Sequence, residues 1–107
     1  MKNLFVLLVI IVLVFGCSNN KNKEEIKNEV LQAEKDFALM TKEKGITEAF
    51  YFFADENAVI KRGNDSLIFG KENIKDYYQK KNYQNTVVTW SPDFIEVSNY
   101  GDLAYTY

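Results

Sequence analysis

Apolar and polar positions divide this chain into stretches of different period. Leu4 to Phe15 is apolar without interruption, a run of 12 residues that as a helix would measure only about 18 Å. A spanning helix needs about 20 such residues. From residue 26 the pattern changes. Ile26, Val30, Ala33, Phe37 and Met40 recur at intervals of four and three, which predicts an amphipathic helix over 23–44. Asn22 is placed to cap it, Glu24 and Glu25 fall in its first turn, and Lys42 and Lys44 in its last, before Gly45. "ITEAFYFFADE" predicts a short second helix, with Thr47 as N-cap and Ala49, Phe50 and Phe53 as its buried face. "NAVIKRGNDSLIFG" reads as a hairpin with strands near 58–62 and 66–69 around Gly63-Asn64-Asp65. Gly70 ends it, and Ile74, Tyr77 and Tyr78 restore helical spacing.

The remainder is β-rich. "TVVTWSPDFIEVS" and "DLAYTY" are separated by a turn signal at Asn99-Tyr100-Gly101. Pro92 cannot donate to a ladder, so it marks a bulge or an edge. One extra residue there would place Val88, Trp90, Ile95 and Val97 on a single face. The order α-α-β-β-α-β-β predicts an α+β domain, with helices on one face of a curved, mostly antiparallel sheet.

The apolar run suits the hydrophobic region of an export signal, with Lys2 before it. Val14-Phe15-Gly16-Cys17 resembles the bacterial lipobox, in which a cysteine after a small residue is lipidated and becomes the mature N-terminus. An ordinary secretory signal and an uncleaved anchor are the alternatives. The polar "SNNKNKEE" that follows reads as a flexible tether. The expected organisation is signal peptide 1–16, tether 17–23 and domain 24–107. The resemblance implies a palmitate-type lipid on Cys17 and attachment to the bacterial cell envelope. Ser18 after the cysteine points, by the same analogy, to the periplasmic side of the outer membrane where two membranes exist. Two or three acyl chains anchor durably, whereas one binds only marginally.

Without residues 1–16, 91 residues remain, enough for one domain, with 12 basic against 15 acidic side chains. That balance, with scattered lysines, argues against a nucleic-acid partner. There is no histidine and Cys17 is the sole cysteine, so triads containing histidine and His/Cys zinc sites are ruled out. No metal and no cofactor is expected. Isolated glycines form no phosphate loop. Any chemistry would fall to Asp, Glu, Tyr, Lys, Arg, Ser or Thr. Seven tyrosines, six phenylalanines after the signal and Trp90 can fill a core or line a pocket.

"AEKDFALMTKEKGITEAFYFFADENAVI", "GKENIKDYY" and "WSPDFIEVSNYGDLAYTY" together resemble the nuclear-transport-factor-2-like superfamily, specifically its SnoaL-like, DUF4440 type. The resemblance runs over nearly all of 25–107. It implies a cystatin-like cone with a cavity between the long helix and the sheet. The family continues with about two more strands beyond "GDLAYTY", so the resemblance also implies that the final strands are missing; a naturally short variant is the alternative.

Three kinds of function follow. A domain that binds a small apolar or amphipathic molecule needs an apolar pocket and a few polar groups; the candidates are Phe37, Tyr51, Asp55, Arg62, Trp90 and Tyr105. For each, core packing or a solvated surface is the competing role. An enzyme of the ketosteroid-isomerase or dehydratase kind would use a carboxylate such as Asp55 with Tyr51 or Tyr105 as donor. A third reading is a homodimerising interaction module that uses the Tyr105 and Tyr107 strand.

Overall fold

The computed structural model describes residues 21–107. The expected signal peptide, the Cys17 lipidation site and most of the tether lie outside them. Three helices and four strands follow in chain order: α1 (Lys23–Lys44), α2 (Ile46–Phe53), β1 (Val59–Lys61), β2 (Leu67–Phe69), α3 (Lys71–Tyr78), β3 (Ile95–Val97) and β4 (Ala104–Thr106). The α+β class is therefore shown. The strands form two separate antiparallel pairs, β1–β2 and β3–β4, where the pattern predicted one curved sheet.

The long helix starts and stops as its sequence predicts. Asn22 Oδ1 accepts from Glu25 N at 2.9 Å and Glu25 Oε2 accepts from Asn22 N at 3.0 Å, a reciprocal box that satisfies two orphan donors. Gly45, at φ 91°, ends the helix and leads straight into α2. Thr47 is not the N-cap of α2; that position is Gly45. Its hydroxyl instead donates to the Tyr78 carbonyl at 2.8 Å and ties α2 to the end of α3.

The inward stripe of α1 is broader than the predicted one. Ile26, Val30, Phe37 and Met40 are sheltered as expected, Ala33 is exposed, and Glu34 and Thr41 are sheltered as well. Thr41 is only 2% exposed. Its hydroxyl faces the Ala38 carbonyl at 2.7 Å and the Val88 carbonyl at 3.1 Å. Glu34 and Thr41, each with a long-range partner, extend the stripe beyond the positions that apolar spacing alone gives.

β1 and β2 pair with Val59 opposite Phe69 and Lys61 opposite Leu67, and the hairpin lies against α3. Asp65, at φ 60°, takes the left-handed turn position that Asp tolerates. The core centres on Ile46, Ile74 and Tyr78, with Phe50, Ile60, Ile68 and Val88 packed around it.

The second hairpin packs on α1. Ile95 opposes Thr106 and Val97 opposes Ala104. Val97 is buried, while Tyr105 between these positions is exposed, as the two-residue period of a strand requires. Residues 86–92 keep the predicted alternation, with Val88 and Trp90 sheltered and Val87 and Thr89 exposed. They form no ladder, so the long strand expected there is confined to 95–97. Pro92 has no N–H to give, and the Val88 carbonyl is bonded by Thr41 instead of by a strand. No helix among the described residues is long and apolar enough to cross a membrane.

Candidate functional site

A cavity of about 390 Å³ opens between α1, α2, the end of α3 and the 83–90 segment. Its apolar wall is a chain of rings. Trp90 meets Phe37 edge to face at 4.8 Å, Phe37 meets Phe50 at 5.0 Å and 89°, and Phe50 stacks on Tyr78 at 4.2 Å and 15°. Edge-to-face and offset arrangements are the ones that ring quadrupoles favour. Ile46, Thr41 and Val88 fill the gaps between them.

The other end of the cavity is polar and is built on Arg62, the residue after β1. Its Nε donates to the Tyr77 hydroxyl and its Nη1 to the Tyr78 hydroxyl, each at 3.1 Å. Its guanidinium carbon lies 5.1 Å from the Tyr77 ring centre and 5.6 Å from that of Tyr78, within cation–π range. The Tyr77 and Tyr83 hydroxyls are 2.6 Å apart.

With Tyr83 donating, the Tyr77 phenol is held below its usual pKa by that bond and then by the bond from Arg62. Donation raises Tyr83. Tyr78 is raised by burial, against the pull of Arg62. The bond to Tyr77 raises Arg62 further above its already high value, so it stays cationic.

Of the six residues singled out from the sequence, the structure brings Phe37, Arg62 and Trp90 together at this cavity. The other three lie elsewhere. Tyr51 points out between α2 and α3, donating to Glu72 Oε1 at 2.8 Å under the ammonium groups of Lys71 and Lys75. Its bond to Glu72 raises its pKa. Asp55 is exposed and accepts from Asn57 N at 2.9 Å, a local turn bond of the kind short acidic side chains make. Tyr105 is 56% exposed on the outer face of β4, in a cluster with Phe94 and Tyr107.

Thr41, Phe50, Tyr78 and Tyr83 join the site without having been candidates. For Thr41 and Tyr78 a signal existed in helical spacing, four residues after Phe37 and after Ile74 respectively. Tyr83 lies in a 3₁₀ turn, Lys81–Tyr83, where no period points inward.

Behind the Trp90 wall lies a further polar contact. The indole Nε1–H donates to Glu34 Oε2 at 2.6 Å, and Thr106 Oγ1 donates to Glu34 Oε1 at 2.7 Å. One carboxylate thus joins α1, the 86–92 segment and β4. Among the described residues no cluster of three or more His, Cys, Asp or Glu could hold a metal. No family model, curated protein or solved structure matches the chain.

Proposed function

We propose that this chain is an envelope lipoprotein, anchored through Cys17, whose nuclear-transport-factor-2-like domain of SnoaL type binds a small apolar or amphipathic molecule. What supports the binding reading is the cavity itself. Its volume lies at the lower end of the range for small-molecule sites, and it pairs an aromatic wall with a few convergent polar groups at one end. An isomerase-type reaction would need a carboxylate base beside the tyrosines. None of the residues lining the cavity is Asp or Glu, and this favours binding over catalysis.

Trp90 is the sole tryptophan and reports on the cavity directly. In the full chain reconstituted in lipid nanodiscs, neutral 4-phenylbutyramide should shift Trp90 emission saturably. A response no larger than that of a freely soluble tryptophan in the same discs refutes the binding reading. The anchor has its own test. Labelled palmitate should enter the wild-type chain in bacteria and not Cys17→Ser, and label retained in the variant refutes it.

A second reading, homodimerisation, draws on the exposed rings of Phe94, Tyr105 and Tyr107 on the outer face of the second hairpin. Sedimentation that stays monomeric up to high concentration would count against it.

A further inference from the structure

Arg62 is half-buried at the cavity end, and among the described residues no carboxylate pairs with it. Asp65, on the same hairpin turn, is paired with Lys61 at 2.8 Å. The groups on Arg62 are instead the π faces and hydroxyl oxygens of Tyr77 and Tyr78, with Tyr83 next to them. A guanidinium carries five N–H donors in a planar fork. Tyr77 and Tyr78 engage two of them; with Tyr83 engaging a third, two remain for another acceptor. Phenols fix the plane and position of the fork and leave its charge uncancelled. Lys80, whose ammonium lies 4.9 Å from the Tyr77 ring centre, adds to the same positive field. At the other end, Trp90, Phe37 and Val88 offer nothing but apolar surface toward the cavity.

We infer that the ligand of this cavity is an organic monocarboxylate, its carboxylate on the free N–H edge of Arg62 and its aromatic or aliphatic body against Phe37, Phe50 and Trp90. The inference rests on the binding reading above and names the chemical class of its ligand. Arg62 is the one cationic residue that lines the cavity, which matches one negative charge on the ligand. A carboxylate meets a guanidinium through two parallel charge-assisted bonds, which an alcohol or amide of the same shape cannot reproduce. Tyr83, whose hydroxyl lies beside that of Tyr77, supplies a further hydroxyl near the head group.

The test compares 4-phenylbutyrate with 4-phenylbutyramide on the full chain in nanodiscs, at neutral pH and low salt, by Trp90 emission. The carboxylate should bind about tenfold more tightly than the amide, the size of effect expected of a charge-assisted pair in a half-open site. Arg62→Gln should remove the preference of the carboxylate over the amide, and Arg62→Lys should keep part of it. Arg62→Gln also strips two bonds from the tyrosine cluster, so the wild-type chain supplies a second readout. Raising salt from about 20 to about 500 mM should shrink the preference several-fold, since screening shortens the reach of a partly exposed charge.

Equal affinity for the two probes, with Trp90 responding to both, overturns the carboxylate inference and leaves the binding reading standing. A preference that survives Arg62→Gln, or one indifferent to salt, overturns the assignment to Arg62. No Trp90 response to either probe overturns both readings together.

Discussion

Removing the indole N–H of Trp90 tests the contact that joins three elements. Trp90→Phe keeps an aromatic ring against Phe37 and deletes the donor that sits 2.6 Å from Glu34 Oε2. A hydrogen bond to a charged group contributes about 1.5–3 kcal/mol where water is excluded. Trp90 and Glu34 are both half-buried, so water competes and about 1 kcal/mol is the appropriate figure. The smaller ring also gives up part of its apolar contact, about 1 kcal/mol more at this exposure. The expected loss is therefore about 2 kcal/mol, or a melting temperature lower by roughly 8–16 °C for a domain of this size.

A double-mutant cycle separates the bond from the packing. Trp90→Phe, Glu34→Ala and the double variant, made in a chain starting at residue 18, are unfolded in urea and followed by far-ultraviolet circular dichroism. The coupling energy should be about 1 kcal/mol. A value below about 0.4 kcal/mol is within the scatter of independent sites. It would mean that the bond contributes nothing to stability, and that Glu34 does not hold Trp90 at the cavity wall.

Ile74 is fully buried at the centre of the core, so Ile74→Ala should cost about 2–4 kcal/mol in the same assay; a loss under about 1 kcal/mol would place the core elsewhere. A Cβ on Gly101, which sits at φ +72°, would come within 2.5 Å of Ile26 Cδ1, so Gly101→Ala should destabilise through backbone strain and this collision, read as a lower urea midpoint. Tyr78 has a raised pKa caused by burial. Its contribution is therefore complete below the usual tyrosine value of about 10 and is lost as pH rises through the higher folded value. Absorbance of phenolate at 295 nm should show Tyr78 among the late-ionising tyrosines, with Tyr51 and Tyr83, its ionisation accompanied by unfolding, and Tyr78→Phe should reduce the late step by one tyrosine.

Much of the fold could be read from local chemistry. The limits of α1 follow from Asn22, Glu25 and Gly45, whose roles depend on residues within one turn. Both hairpin turns follow from their Gly, Asn and Asp residues for the same reason. The place of Glu34 and Thr41 on the inward side of α1 was not legible, because both are polar and acquire that role only through Trp90, Thr106 and Val88, distant in sequence. Residues 86–97 show how far a pattern reaches. Their alternation told which side chains turn inward, yet a ladder also needs a partner strand, and alternation carries no information about that. At the site, Phe37 and Trp90 were legible as apolar positions on regular elements. Arg62 was legible as a candidate, but its tyrosine partners come from another element, and its lack of a carboxylate partner is a fact of three dimensions.

The capping box at Asn22 has a consequence for where such a domain could work. It makes Lys23 the first residue of a rigid rod about 33 Å long. With the lipid on Cys17, six residue steps separate the bilayer from that rod, and a chain can stretch no more than about 3.5 Å per step. The leash is then roughly 21 Å at full extension, shorter than the helix it holds. If Cys17 carries the proposed lipid, the domain would be held to a thin film of solution along the membrane surface, and the molecules it met would be those released from, or drifting against, that surface.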